Sequence, residues 1–540
     1  MCRQGSLWYL AFTAVFAVLA GFLFWGTWST TVSFISPDDG VVFATSYGDV
    51  VQRWWNDFLL RGKILPTDLL WSGLFGSPHV CRELKYAVAL YLSAFALAWF
   101  LRGRGISRLS AYGAGLLLAF SGYWCTLFSA GHGGWYIWMS YGLFAFGLID
   151  RAVTRGSWRY WILLGLAVSW AGFQQQDLWL LFSAFTGVYL VYRLVRARAF
   201  PWTKIVAAGL VFLVVGLPNW VNLCDVVKGR EDQIARGENI TTESDASKKS
   251  LEDRAARWEF VTNWSLPADE TAEFFSARLN GDTSCPFVLS INAKRGVRPY
   301  SGALGRPMNA EKGNYRQHSL YLGWGTCLLA IIGAAGGFRR KTVLFFVCAA
   351  VVFYLLSLGR YFAPAYRCVF ALPAGDLIRC PVKWHHLTEF CVCVLAGFGL
   401  DTLQQLLARV PVREAVRARL VPALVAALVL FWSFDLVSEA RRFCAPVDYS
   451  QAIAKKCESQ LTVLSRQQFQ NPQVAAMVRA GALVSVANWL GSPDAYLVQA
   501  LQPAKPVKPA EPRPLMIALG AISFLAALAC IGMAWRLPLR

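Results

Sequence analysis

Long apolar runs dominate this sequence and leave few folds open to it. A helix needs about 20 mostly apolar residues to cross the hydrocarbon core of a bilayer. Inside lipid, only helices and closed barrels satisfy their own backbone hydrogen bonds. Twelve apolar segments can be read, at roughly 7–28, 84–101, 109–128, 135–150, 160–175, 178–195, 205–222, 318–338, 342–358, 385–405, 420–437 and 514–535. Several are short for a full span, so tilted or broken helices are expected among them. Only 16% of the 540 residues are charged, where a soluble chain carries about a quarter. Many of the 23 Trp stand at the ends of the runs, the depth at which amphipathic rings settle. The expectation is an all-α polytopic membrane protein with about a dozen transmembrane helices (11 to 14). The first run is read as an uncleaved helix, because no small-residue cleavage site follows it.

Lys and Arg in the short loops set the orientation. With the N-terminus in the cytoplasm, the inner segments hold 20 basic residues and only the acids Asp150, Asp401 and Glu414, so 17 of the 20 net positive charges lie on one side. The high net charge is therefore topological, and no nucleic-acid partner is needed to explain it. The chain divides into a transmembrane module (1–222) with a first outer loop (29–83), a large outer loop (223–317), and a second transmembrane module (318–437) with a basic outer loop (359–384). An outer segment and Pro- and Lys-containing linker (438–513) and a final helix with a cytoplasmic tail (514–540) complete it. No inner segment is long enough to be a soluble catalytic domain, so chemistry belongs to the outer face or to the membrane. The 14 Cys form no CxxC pair and mostly sit in apolar runs. Cys368 with Cys380, and Cys444 with Cys457, are disulfide candidates if their loops face an oxidising compartment.

Four places carry residues capable of chemistry. In the first outer loop, Asp38 and Asp39 precede 47-YGDVVQRWWNDFLLRG-62, whose apolar positions repeat at helical spacing as in a helix lying on the membrane surface. His132 stands between glycines in 131-GHGG-134, and Asp177 ends the run Gln174-Gln175-Gln176-Asp177. The fifth outer loop gathers Arg360, Arg367, Arg379, Lys383, His385 and His386 at the mouth of the tenth run. That cluster runs against the charge rule. It is either a set of snorkelling cations paired with Asp376 or a site for an anion.

Four stretches resemble the YfhO-like bacterial membrane proteins, within the membrane glycosyltransferases of the C-type fold. They are YGDVVQRWW with LLRGKILP in the first loop, 120-FSGYWCTLFSAGHGGW-135, 321-YLGWGTCLLAIIG-333 and 371-ALPAGDLIRCPVKWHHLTEFCVCVLAGFGLDTL-403. The last is the most specific, although Lys383 stands where Arg is common and Trp384 where Phe is common. Nothing beyond residue 403 matches. The resemblance implies a hexosyltransferase-like enzyme of the bacterial cytoplasmic membrane. It would move a sugar from a polyprenyl-phosphate donor to a cell-envelope polymer, lipid or protein on the outer face. Phosphate is already a good leaving group, so one carboxylate to accept the acceptor's proton is sufficient, with cations to hold the departing phosphate. On that resemblance Asp49 is the base, or a metal-binding carboxylate if a divalent cation is used, with Asp38 and Asp39 as fallbacks. Arg379, Lys383 and Arg367 are the phosphate ligands, and His132 and Asp177 line the pocket. Two other readings stay open: a transporter or flippase of a lipid-linked or amphipathic solute, and a non-catalytic membrane scaffold. Broken helices in matching halves would mark the former.

Overall fold

A computed structural model describes residues 2–27, 32–33, 47–62, 78–130, 141–172, 176–225, 254–283, 296–304, 318–372, 375, 378–411, 413–443, 447–448 and 510–537. Nearly all of the described chain that is regular is helical. The exception is a two-residue antiparallel pairing of Val32–Ser33 with Val447–Asp448, which ties the segment after the first apolar run to the segment after the eleventh.

Each of the twelve apolar runs coincides with a helix. In chain order these are α1 (Cys2–Leu23), α3 (Pro78–Gly103), α4 (Arg108–Phe120), α5 (Phe144–Arg155), α6 (Trp158–Ala171), α7 (Gln176–Ala197), α8 (Trp202–Val215), α11 (Trp324–Gly337), α12 (Lys341–Ser357), α14 (His385–Leu407), α15 (Glu414–Phe443) and α16 (Pro514–Arg536). Helices outside the runs are α2 (Tyr47–Arg61), α10 (Arg254–Val261) and α13 (Ala363–Phe370). A further short one, α9 (Leu217–Asp225), continues α8 after a bend of 60°.

Length separates the runs. Among the described residues, five helices are long and apolar enough to cross a membrane alone, and two bent pairs bring the number to seven. α5 and α6 have 12 and 14 residues, which at 1.5 Å per residue reach only about 18–21 Å of the roughly 30 Å core. The sequence counted these as spans because their flanks are also apolar. Within the described residues, α5 packs against α3 and α6 against α8. α12 ends at a 113° bend into the segment Gly359–Phe370, which turns away from the bundle axis.

α14 is the central element. From His385 to Asp401 nearly every residue is buried, and α11, α12 and α4 surround it. Its approach to α11 is backbone on backbone. A Cβ on Gly333 would overlap the Leu395 carbonyl oxygen, and one on Gly399 the Leu329 carbonyl oxygen. Small residues at such crossings let helices meet where lipid offers no hydrophobic drive.

The expected first-loop helix forms as α2, and its second half is pinned to other helices. Asn56 Oδ1 accepts from the Ala510 amide at 2.9 Å, the Leu59 carbonyl from the Arg513 amide at 3.1 Å, and the Arg61 carbonyl from Asn222 Nδ2 at 3.0 Å. Arg513 in turn pairs with Asp225 at 2.8 Å. Cys368 and Cys380 are separate free thiols, so that disulfide candidate is not formed. Cys444 and Cys457 lie outside the described residues.

Candidate functional site

The described parts of the large loop fold back onto the chain at 357–384. The Leu266 amide donates to the Ser357 carbonyl, the Cys380 amide to the Val261 carbonyl and the Val382 amide to the Trp264 carbonyl, each at 2.9 Å. Arg360 donates from Nε and Nη2 to the Thr262 carbonyl at 3.0 and 2.7 Å, and its amide donates to Ser265 Oγ at 3.0 Å. These bonds hold Cys380 at φ +64°, a backbone region that non-glycine residues seldom occupy. The 3-10 turn Pro381–Trp384 that follows carries Lys383 inward, where only 6% of it is exposed. Arg367 and Arg379 stay exposed. Their guanidinium carbons lie 5.7 Å from the ring centres of Trp258 and Phe260, respectively.

The result is a collar of cations around α10. Arg367 and Arg379 lie over aromatic rings, Arg360 is bound to the backbone, and Lys383, in the turn that follows Cys380, is buried. Planar guanidinium groups held over rings keep their N–H forks free for an oxyanion. The collar sits at the start of α14, as the sequence placed it.

Next to the collar, in the first turns of α14, lies a buried polar cluster in which the sequence reading named His385 and His386 but not Glu389. Glu389 Oε1 accepts from Ser121 Oγ at 3.2 Å and from the backbone amides of Tyr123 and Trp124 at 3.1 and 3.2 Å. Its Oε2 is 3.6 Å from His386 Nδ1. The His386 ring stacks on Tyr123 with centroids 4.4 Å apart, and Tyr123 also meets His318 at 4.9 Å. His385 stacks on Phe274 at 4.5 Å, and neither of its ring nitrogens has a hydrogen-bond partner among the described residues. His385, His386 and Glu389 are all fully buried. A carboxylate inside an apolar run is itself a signal for function, and it was available at Glu389 in the sequence.

Of the remaining candidates, Asp49 lies in the first turn of α2 and Asp177 in the first turn of α7; both side chains fall outside the described residues. Asp38, Asp39, His132 and Asp376 also lie outside them. Among the described residues, no group of three His, Cys, Asp or Glu side chains could hold a metal ion.

No family model matches the chain, and no curated protein matches it. A solved structure does align. The crystal structure of ArnT from Cupriavidus metallidurans bound to undecaprenyl phosphate is similar over 95% of this chain and 87% of that one, at TM-score 0.45 and 14% identity. The likeness to YfhO-like proteins therefore stands on the four sequence stretches.

Proposed function

We propose that this protein is a membrane glycosyltransferase whose donor is a sugar carried on a polyprenyl phosphate. The observation that carries the reading is the collar near the head of α14, where exposed Arg367 and Arg379 are held over the rings of Trp258 and Phe260. Exposed guanidinium groups that keep their N–H forks free suit the oxygens of a lipid phosphate. In the reaction the acceptor hydroxyl oxygen attacks the anomeric carbon. The bond from that carbon to the phosphate oxygen breaks, and the polyprenyl phosphate leaves with its electron pair. The collar offsets the charge that develops on it. Asp49 takes the acceptor proton. The four motif stretches support this reading over a scaffold.

Transfer of a radiolabelled sugar from a short-chain polyprenyl-phosphate donor, assayed in membranes carrying the protein, tests the scheme. Asp49→Asn inserts normally and loses at least about 100-fold in turnover, the usual weight of a general base. Lys383→Gln raises the donor KM and lowers turnover. Full activity in Asp49→Asn overturns the base assignment, and unchanged donor dependence in Lys383→Gln overturns the phosphate site.

A further inference from the structure

At the opposite end of α14, about 27 Å along its axis from Lys383, four helix ends line a half-open cavity of about 650 Å³. Arg104 follows α3, Arg193 and Arg196 lie at the end of α7, Arg340 and Lys341 begin α12, and Asp401 and Gln405 line the wall from α14. Five cations thus surround one space. The carboxylates that face them are two. Asp150 pairs with Arg104 at 2.5 Å and with Arg193 at 2.9 Å, and also accepts from Tyr189 Oη at 2.8 Å. Asp401 accepts from the Ser107 amide at 2.9 Å and from Gln405 Nε2 at 2.8 Å. Arg196, Arg340 and Lys341 have no ion pair among the described residues. α12 also presents its N-terminal turn to the cavity, and its N-cap, Arg340, makes no side-chain capping bond. The positive end of the α12 dipole therefore lies at the edge of the same space.

The charge rule alone accounts for cations on this face, not for their arrangement. Here two are locked by a buried aspartate, three are left over, and all five line one concavity with a helix N-terminus. Several like charges lining one concavity focus a positive potential there and favour an anion in it.

We propose that this cavity binds a phosphate group, either on the headgroup of an anionic phospholipid or as a free phosphate, and that the site is separate from the collar. The test uses full-length protein in a neutral detergent. Thermal unfolding and native mass spectrometry are followed with added phosphatidylglycerol, phosphatidylcholine or inorganic phosphate at constant ionic strength. Phosphatidylglycerol raising Tm and remaining bound where phosphatidylcholine does not assigns the lipid headgroup; a shift with inorganic phosphate alone assigns the free anion. In the triple variant Arg196→Gln, Arg340→Gln, Lys341→Gln, binding weakens on the order of a hundredfold, about fivefold per cation. The charge-matched variant Arg413→Gln, Arg417→Gln, Arg419→Gln lies outside the cavity and keeps binding. If neither probe shifts the protein, or both triple variants lose binding equally, the site does not exist. Should the first triple variant aggregate, the single changes Arg340→Gln and Lys341→Gln, both at exposed side chains, carry the same test.

Discussion

Glu389 shows why residue-level reading of the sequence went only part of the way. Its three donors come from Ser121, Tyr123 and Trp124, more than 260 positions away in the chain. The stretch FSGYW was legible as a motif, but not as the cradle of a carboxylate in another helix. Gly122 belongs to the same arrangement, since a Cβ there would stand 2.6 Å from the Tyr321 carbonyl oxygen. So part of what the motif specifies is packing. The polar partners of Glu389 give a prediction. Glu389→Ala leaves the two buried amides of Tyr123 and Trp124 without this acceptor, while Ser121 Oγ keeps the Leu118 carbonyl at 3.1 Å, and destabilises the protein by about 2–4 kcal/mol. Glu389→Gln keeps an oxygen facing the same donors and costs about 1 kcal/mol or less. Denaturation of purified protein measures both. Equal losses would mean that the negative charge opposite His386, rather than the acceptor, is what stabilises the site. The cations behaved differently. Lys383, Arg367 and Arg379 were legible because they break the charge rule. Which of them would be buried was not, because that depends on the left-handed turn at Cys380.

Elements were located well and measured poorly. Every run became a helix, yet 318–323 was read as part of one when it is an extended strip. Its Tyr321 carbonyl accepts from the Gly122 amide at 2.7 Å, and its Leu322 amide donates to the Phe274 carbonyl at 3.2 Å. Apolar residues fill a buried strip and a buried helix alike, so hydropathy cannot separate the two. The α11–α14 crossing gives the prediction at this scale. Gly399→Ala places a methyl group into the Leu329 carbonyl and forces the helices apart, at a cost of about 2–3 kcal/mol. Gly187→Ala and Gly209→Ala meet nothing within 4 Å and stabilise their helices by about 0.5–1 kcal/mol. Thermal unfolding of the three variants in one detergent checks the ordering. A Gly399→Ala protein as stable as Gly209→Ala would show that the crossing tolerates a wider spacing.

The whole molecule has two unlike ends. Connections predicted on one side do meet: Arg104, Asp150, Arg193 and Thr342 come from four separate elements and touch one another. At the other end, residues 254–266 and 357–384 lock together and cover the head of α14. This two-ended build was legible from charge, because the short loops alone hold the excess of Lys and Arg. The positive-inside rule predicts which end faces the cytoplasm, and the proposed function depends on that orientation, since a donor used on the outer face must meet the collar there. Fusions truncated after Arg198, in the turn between α7 and α8, and after Tyr300, in the large loop, decide the matter. A green fluorescent reporter is bright at Arg198 and dark at Tyr300. Alkaline phosphatase, which needs disulfides formed in an oxidising compartment, is inactive at Arg198 and active at Tyr300. The reverse pattern at both positions would put Lys383 and Asp49 on the cytoplasmic side and the five-cation cavity outside. The phosphate chemistry of each end would then stand, while the outer-face acceptor would have to be replaced by a cytoplasmic one.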